Sequence, residues 1–442
     1  MATTTLRPGS TEQPGPTALR LSDVLDALVQ GPPPFRFTAY DGSSTGPQDA
    51  PVGLHLANSR GVAYVATAPG SLGLARAYIS GDLQVSGISP GDPYPLLRRL
   101  DDGLHWRRPD PRTIARIARS LGVSRLVPPA PPPQEALPDW RRAVEGLRHS
   151  RRRDAEAIHH HYDVSNTFYE RLLGPSMAYT CACYPRADAT LEEAQDYKHE
   201  LVFRKLGLRP GQRLLDVGCG WGGMVRHAAR RGVKALGVTL SEEQAGWGQE
   251  AIRREGLQDL AEIRHGDYRD VAERGLDGVS SIGLTEHIGV ANYPAYFRFL
   301  RDRLRPGGRL LNHCITRPDN VHGARVRNGF IDRYVFPDGE LTGSGRIISA
   351  IQDVGGFEVR HEENLREHYA RTCGAWCANL VEHWDACVAE VGEATAKVWG
   401  LYLAGSRLGF ERNQIQLHQV LAVKLRADGG ADFPLRPDWS SA

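Results

Sequence analysis

No run of about 18 apolar residues occurs in the 442-residue chain,. Its first residues also lack the charged and apolar regions of a secretory leader,. The expectation is a cytoplasmic protein that spans no membrane. An excess of charge of one sign is missing too. Lys and Arg number 54 against 52 Asp and Glu, a formal net charge of +2, which argues against a global electrostatic grip on nucleic acid. Cysteine provides no framework. The seven, at 181, 183, 219, 314, 373, 377 and 387, are odd in number and scattered, as reduced thiols are in a large cytoplasmic chain. Cys181-x-Cys183 and Cys373-x3-Cys377 have no partner pair for zinc, and no metal is expected,. His159–His161 are consecutive and cannot all face one way on a helix,. No internal repeat is present.

What is there divides the chain. Residues 1–16 are polar and rich in Pro and Gly and read as a disordered tail,. Residues 17–126 mix helix-like and strand-like stretches, giving a small α+β domain,. Within it FRFTAYDGSS, Val52–Ala57 and VAYVATAPG read as strands, and LGLARAYISG and PYPLLRRLDDGL as helices. VPPAPPPQEALP (127–138) breaks both and reads as a linker,. The larger domain, 139–442, begins with helical sequence. Strands expected at 213–218, 234–240, 261–266, 276–284 and 308–316 then alternate with helices. That is the α/β pattern of a mostly parallel, doubly wound sheet. Residues 317–345 interrupt it as a lid-like insertion, helical sequence follows over about 368–412, and 418–425 reads as a last strand.

The chemistry concentrates at RLLDVGCGWGGMVRHAARRG, residues 213–232. An apolar strand runs into a glycine turn (Gly218, Gly220, Gly222) and then an amphipathic helix, a nucleotide-binding turn of the doubly wound kind,. It does not fit G-x-G-x-x-G, whose third glycine packs the helix,. Asp216 followed by G-x-G-x-G is instead the pattern of S-adenosylmethionine (SAM) methyltransferases. The second strand ends GVTLS, without the acidic ribose ligand of a dehydrogenase,. Glu286 and His313 fall at the carboxyl ends of expected strands, where open α/β sheets bind ligands,.

These stretches, with HHYDVSNTFYE, MAYTCACY, LEEAQDYK, GVTLSEEQ, DYRD, SSIGLTEHIG, LLNHCITRP, FIDRYVFPDGEL and EHYARTCGAW, match in order over about 159–425. The chain resembles the cyclopropane-fatty-acid synthase family, which includes the mycolic acid cyclopropane synthases. Its whole length is most similar to an actinobacterial branch that makes 10-methylene, tuberculostearic-type fatty acids. The resemblance implies a Rossmann-like class I SAM methyltransferase. Its substrate would be the cis double bond of oleoyl-type phospholipid chains, with bicarbonate as base.

By motif, Cys181, Glu286, His313, the carbonyl of Ile315 and Tyr369 would hold bicarbonate. Tyr179 and Thr180 would meet the amino-acid end of SAM, with Gly218, Gly220 and Gly222 shaping the turn beside it. Tyr162, Asp216, Thr239 and Leu240 would also border the cofactor. Gln244 would take the ribose, Asp267 the adenine edge, and Tyr268 the adenine face.

Implied partners are phospholipid acyl chains at the inner membrane surface, a separate reductase and a second copy of the chain. Docking at that surface is permitted by Arg108, Arg112, Arg116 and Arg119 at helical spacing, and by Arg148 and Arg151–Arg153,. Taken singly, each residue has a plainer explanation. A buried Cys packs as a small hydrophobe, Glu286-His287 can open a helix, and Tyr369 can be a packed ring. Phe330, Tyr334 and Phe336 suit an acyl tunnel or an ordinary core.

The rivals are a small-molecule methyltransferase, which would need neither Cys181, Tyr369 nor the first domain, and a non-enzymatic lipid- or SAM-binding protein, which would have lost Glu286 or His313. Methylene and cyclopropane products stay open.

Overall fold

The computed structural model describes residues 19–135, 165–323 and 329–439. Tyr162, His159–His161, Arg148, Arg151–Arg153 and the tail 1–16 lie outside the described residues. Two compact units are present: residues up to Glu135 with Glu393–Leu401, and the remainder.

In the first unit, strands β1 (Arg36–Ala39), β2 (Ser44–Thr45), β3 (Gly53–Leu56) and β4 (Leu83–Ser86) form a sheet in the order β2-β1-β3-β4. Helices α1 (Leu21–Leu28), α2 (Ser59–Thr67), α3 (Ser71–Ile79), α4 (Tyr94–Gly103) and α5 (Pro111–Leu121) accompany it. Phe35, Phe37, Leu54, Tyr64 and Tyr78 build the core. Sequence VAYVATAPG, expected as a strand, is largely helix α2. Asn58 caps it by accepting from Gly61 N at 3.1 Å, and Gly61–Tyr64 are buried in succession rather than alternately. A local cap and alanines at 63 and 66 outweigh the two valines,.

The stretch expected as a bare linker packs on this unit as far as Glu135. Tyr64 Oη donates to Ala130 O at 2.6 Å, and the Arg76 guanidinium meets both Glu135 oxygens at 2.6 Å. The Glu135 side chain is fully buried.

The second unit is organised on a seven-stranded sheet in the order β10-β11-β9-β8-β5-β6-β7. Its strands are β5 (Arg213–Val217), β6 (Lys234–Thr239), β7 (Ala261–His265), β8 (Leu276–Ile282), β9 (Leu304–Thr316), β10 (Phe357–Asn364) and β11 (Gln416–Lys424). Pairs from β9 to β7 are parallel, while β11 runs antiparallel to both β9 and β10. This is the expected mostly parallel α/β sheet. Leu214, Leu215 and Val217 are buried because helices cover both faces,. Two apolar layers result, one around Phe297 and Leu310 and the other around Val225 and Ile252. Strand β10 has no counterpart among the expected strands, although FEVRHE alternates as a half-exposed strand should,.

The insertion at 317–345 contains one short helix, Phe330–Tyr334, among its described residues. It is tied to the end of β8: Glu340 N donates to Glu286 O at 3.0 Å, and Val290 N donates to Glu340 Oε2 at 2.9 Å. Phe330 stacks on Tyr334, and Phe336 meets His287 and Tyr402 edge-on. Among the described residues no helix is long and apolar enough to cross a membrane.

Replacing Arg76 by Met leaves the Glu135 carboxylate buried without its bidentate partner. The first unit is expected to lose about 3 kcal/mol, read as an earlier denaturant transition. An unchanged transition would show that the pair contributes nothing net.

Candidate functional site

Strand β5 ends in the glycine turn, and the cofactor cavity opens there. Gly218, Gly220 and Gly222 have φ of 71°, 55° and 79°, left-handed values that favour glycine,. The first two border an open cavity. Gly222 does not line it. A Cβ there would lie 2.2 Å from Ile263 Cδ1, so this glycine lets the turn pack against β7.

Of the other expected cofactor residues, Tyr179, Thr180, Asp216, Thr239, Leu240, Gln244 and Tyr268 line the cavity. Thr239 Oγ1 donates to Gln244 Oε1 at 2.8 Å, so the carbonyl end of this amide is engaged within the protein. Tyr268 stands edge-on to Tyr296 and Phe299. Asp267, expected on the adenine edge, is absent from the lining and directs its carboxylate to Arg269 at 2.5 and 2.7 Å. The bidentate fit of a guanidinium two residues away explains that choice. Asp216 accepts from Ser280 Oγ at 2.6 Å, and burial pushes its carboxyl up to about 7.

Lys198, His199, Trp221, His287 and Asp338 also line the cavity and were not expected there. Lys198 closes LEEAQDYK. Its ammonium donates to Thr180 Oγ1 at 2.9 Å, and burial lowers it to about 8. Trp221 lies inside the glycine turn itself, its indole N–H donating to Asn166 at 2.8 Å.

Of the five expected anion-holding residues, Cys181, Glu286, His313 and Tyr369 are buried and Ile315 is half-buried. Parallel strands β8 and β9 carry Glu286 and His313 to the same end of the sheet. Ile315 N donates to Glu286 Oε1 at 2.7 Å, and Gly283 N donates to His313 O at 2.8 Å. Cys181 Sγ lies 3.8 Å from Leu365 O, the oxygen that also accepts from Tyr369 N at 3.1 Å. Tyr369 stacks on Phe410 at 4.5 Å and meets Trp376 edge-on at 6.1 Å.

Burial raises the Glu286 carboxyl to about 7. Burial, reinforced by Lys198 and Lys205, holds the His313 imidazole far below its usual range and therefore neutral. Burial pushes the Cys181 thiol and Tyr369 phenol well up. Glu286 Oε2 and His313 Nε2 are buried with no hydrogen-bond partner among the described residues. Also among the described residues, no cluster of three or more His, Cys, Asp or Glu could hold a metal ion.

A model of the family described as mycolic acid cyclopropane synthetase matches residues 149–420. The chain belongs to that family. A probable fatty acid methyltransferase of Mycobacterium tuberculosis is 63% identical over 422 residues, covering 95% of this chain and 98% of its own. The tuberculostearic acid methyltransferase UfaA1 of the same organism is 29% identical over 409 residues, 88% of each chain. Among solved structures, the mycolic acid cyclopropane synthase CmaA1 complexed with SAH and CTAB has a TM-score of 0.56 at 31% identity, covering 61% of this chain and 97% of that one. This member of the mycolic acid cyclopropane synthetase family is a SAM-dependent methyltransferase that modifies lipid.

Glu286 binds its proton more tightly in the folded chain, at about 7 against an ordinary 4.5, so its ionisation opposes folding. Stability contributed here is present below the ordinary value and lost as pH rises through about 7,. Glu286→Gln should therefore unfold later than the parent near pH ~8, by up to about 3 kcal/mol, and by much less near pH ~4. Urea midpoints at the two pH values check this, and a gain of equal size at both would overturn it.

Proposed function

We propose that this enzyme transfers the methyl group of SAM to the cis double bond of oleoyl-type phospholipid chains, with bicarbonate as base, and forms a 10-methylene acyl product. The observation that carries the reading is that Glu286 Oε2 and His313 Nε2 are both buried with no hydrogen-bond partner among the described residues. A carboxyl oxygen and an imidazole nitrogen left open together suit a small oxyanion that both donates and accepts hydrogen bonds. Glu286, His313, Cys181, Tyr369 and the carbonyl of Ile315 would hold it. Bicarbonate bound there would supply the base for the proton lost after methyl transfer.

The chain's own side chains handle the rest. An isolated alkene is a weak nucleophile, and the cation it becomes is captured by water or by a nearby anion. Alignment and dryness are therefore the main requirements. Tyr369 stacks on Phe410 and meets Trp376 edge-on, and these three buried rings exclude water. Burial keeps the thiols of Cys181, Cys183 and Cys373 and the phenol of Tyr369 protonated. No thiolate or phenolate among these groups is available to trap a cation.

The 10-methylene product is supported by the likeness to the tuberculostearic acid methyltransferase over 88% of each chain. Ring closure to a cyclopropane at the same site is the second reading, favoured by the likeness to the solved cyclopropane synthase. A methylene product would require a separate reductase to become a methyl branch. The test is to incubate the protein with SAM and a dioleoyl phospholipid and record a proton NMR spectrum of the released fatty acid. Vinylidene protons are expected. Upfield ring protons would replace the product assignment, and SAM binding without methyl transfer to lipid would bring a small-molecule substrate forward.

A double bond inside a leaflet also requires the enzyme to sit on the membrane surface. Support comes from α5 and the residues beside it, where Trp106, Ile114, Val123 and Val127 are 58%, 53%, 81% and 58% exposed. Arg108, Arg112, Arg116 and Arg119 are exposed among them. Binding to phosphatidylglycerol vesicles should exceed binding to phosphatidylcholine vesicles in co-sedimentation. Replacing Arg112, Arg116 and Arg119 together by Gln should weaken it roughly 100-fold, at about 1 kcal/mol per side chain. Equal binding to both vesicles would overturn this docking face.

A further inference from the structure

One rung of the sheet ends on His313. Glu363 on β10 is in register with Gln419 on β11, and Gln419 is in register with His313 on β9. Directly paired residues of neighbouring strands put their side chains on one face. From the helix Leu191–Leu206, Lys205 joins them on that face. Its side chain is fully buried, its ammonium pairs closely with Glu363, and it donates to Gln419 Oε1 at 2.7 Å. Gln419 Nε2 then stands 3.1 Å from His313 Nδ1.

The order of donors along this rung is fixed by chemistry. A lysine ammonium only donates, so the Gln419 atom facing it must be the carbonyl oxygen. The amide therefore turns its NH2 to His313 and donates. His313 Nδ1 must accept, and the single proton of the neutral ring is left on Nε2. Nε2 is the atom without a partner among the described residues. The opposite tautomer would set two N–H groups against each other at Nδ1 and present a lone pair to the pocket.

We propose that Gln419 and Lys205, anchored by Glu363, are positioning residues that lock His313 as its Nε2–H tautomer and so present a donor to the anion in the pocket. The functional consequence rests on the reading of His313 as an anion ligand given above. The tautomer does not. Gln419→Glu is nearly isosteric and keeps a partner for Lys205, but its carboxylate can only accept. It would draw a proton to His313 Nδ1.

The experiment is a nitrogen NMR spectrum of the full chain labelled with 15N at its histidine rings, with His313 assigned by its loss in His313→Gln. Expected for the parent is a protonated Nε2 and an unprotonated Nδ1. In Gln419→Glu the proton should appear on Nδ1. Methyl transfer to dioleoyl phospholipid should then fall roughly 10- to 100-fold, while SAM affinity stays unchanged.

A parent His313 carrying its proton on Nδ1, or on both nitrogens, would overturn the proposal, as would a variant keeping only Nε2–H. The parent spectrum alone suffices if the variant does not fold. If the parent transfers no methyl to lipid, the proposed function falls while the spectrum still decides the tautomer. If transfer is intact and Nδ1 is protonated, only the tautomer lock falls.

Discussion

The hydrogen bond from Ile315 N to Glu286 Oε1 is the constraint on which the site's arrangement depends. It joins the short helix Thr285–Ile288 that follows β8 to Ile315 near the end of β9, which continues beyond the pairing of Ile282 with His313. One carboxyl oxygen is thereby held by the backbone, and the other is left in the interior without a partner among the described residues. Burying a carboxyl is costly unless it is hydrogen-bonded or neutral, and this one is drawn toward neutrality,. Tolerating such a group needs the rigid surroundings that two layers of apolar side chains provide.

Legibility in the sequence followed the range of the forces involved. The β5 turn was readable because its glycines answer a local steric demand, with φ values that a side chain resists. The buried strands around it were readable from continuous apolar runs. VAYVATAPG was misread because two valines among alanines suit a strand or a helix, and a single Asn58 cap settled the matter. Strand β10 escaped notice because its alternation is diluted by charge on both faces. The pairing of Asp267 with Arg269 is not legible in the DYRD motif, although the two residues lie two apart. The rung Glu363–Gln419–His313 was not readable at all. Its members lie on three strands, and only antiparallel register brings them level.

Motif reading and geometry meet most closely at Thr180 and Cys181. The first lines the cofactor cavity and the second is buried beside Leu365 and Tyr369. One peptide unit thus separates a residue of the cavity wall from the buried thiol beside Tyr369. Lys198 braces this boundary from below through Thr180. A methyl donor and an acyl chain meeting there would be registered against the same short piece of backbone, which is the geometric condition for in-line transfer.

Asp216 has a further consequence. Its carboxyl, raised by burial to about 7, borders the cavity lined by Thr180, Thr239 and Gln244. A ligand of net positive charge bound there would favour the ionised carboxylate and so release a proton on binding. Capture of the donor and release of a proton are then one thermodynamic event. Donor affinity gains with rising pH through neutrality, and the measured heat of binding carries the ionisation enthalpy of whatever buffer accepts that proton.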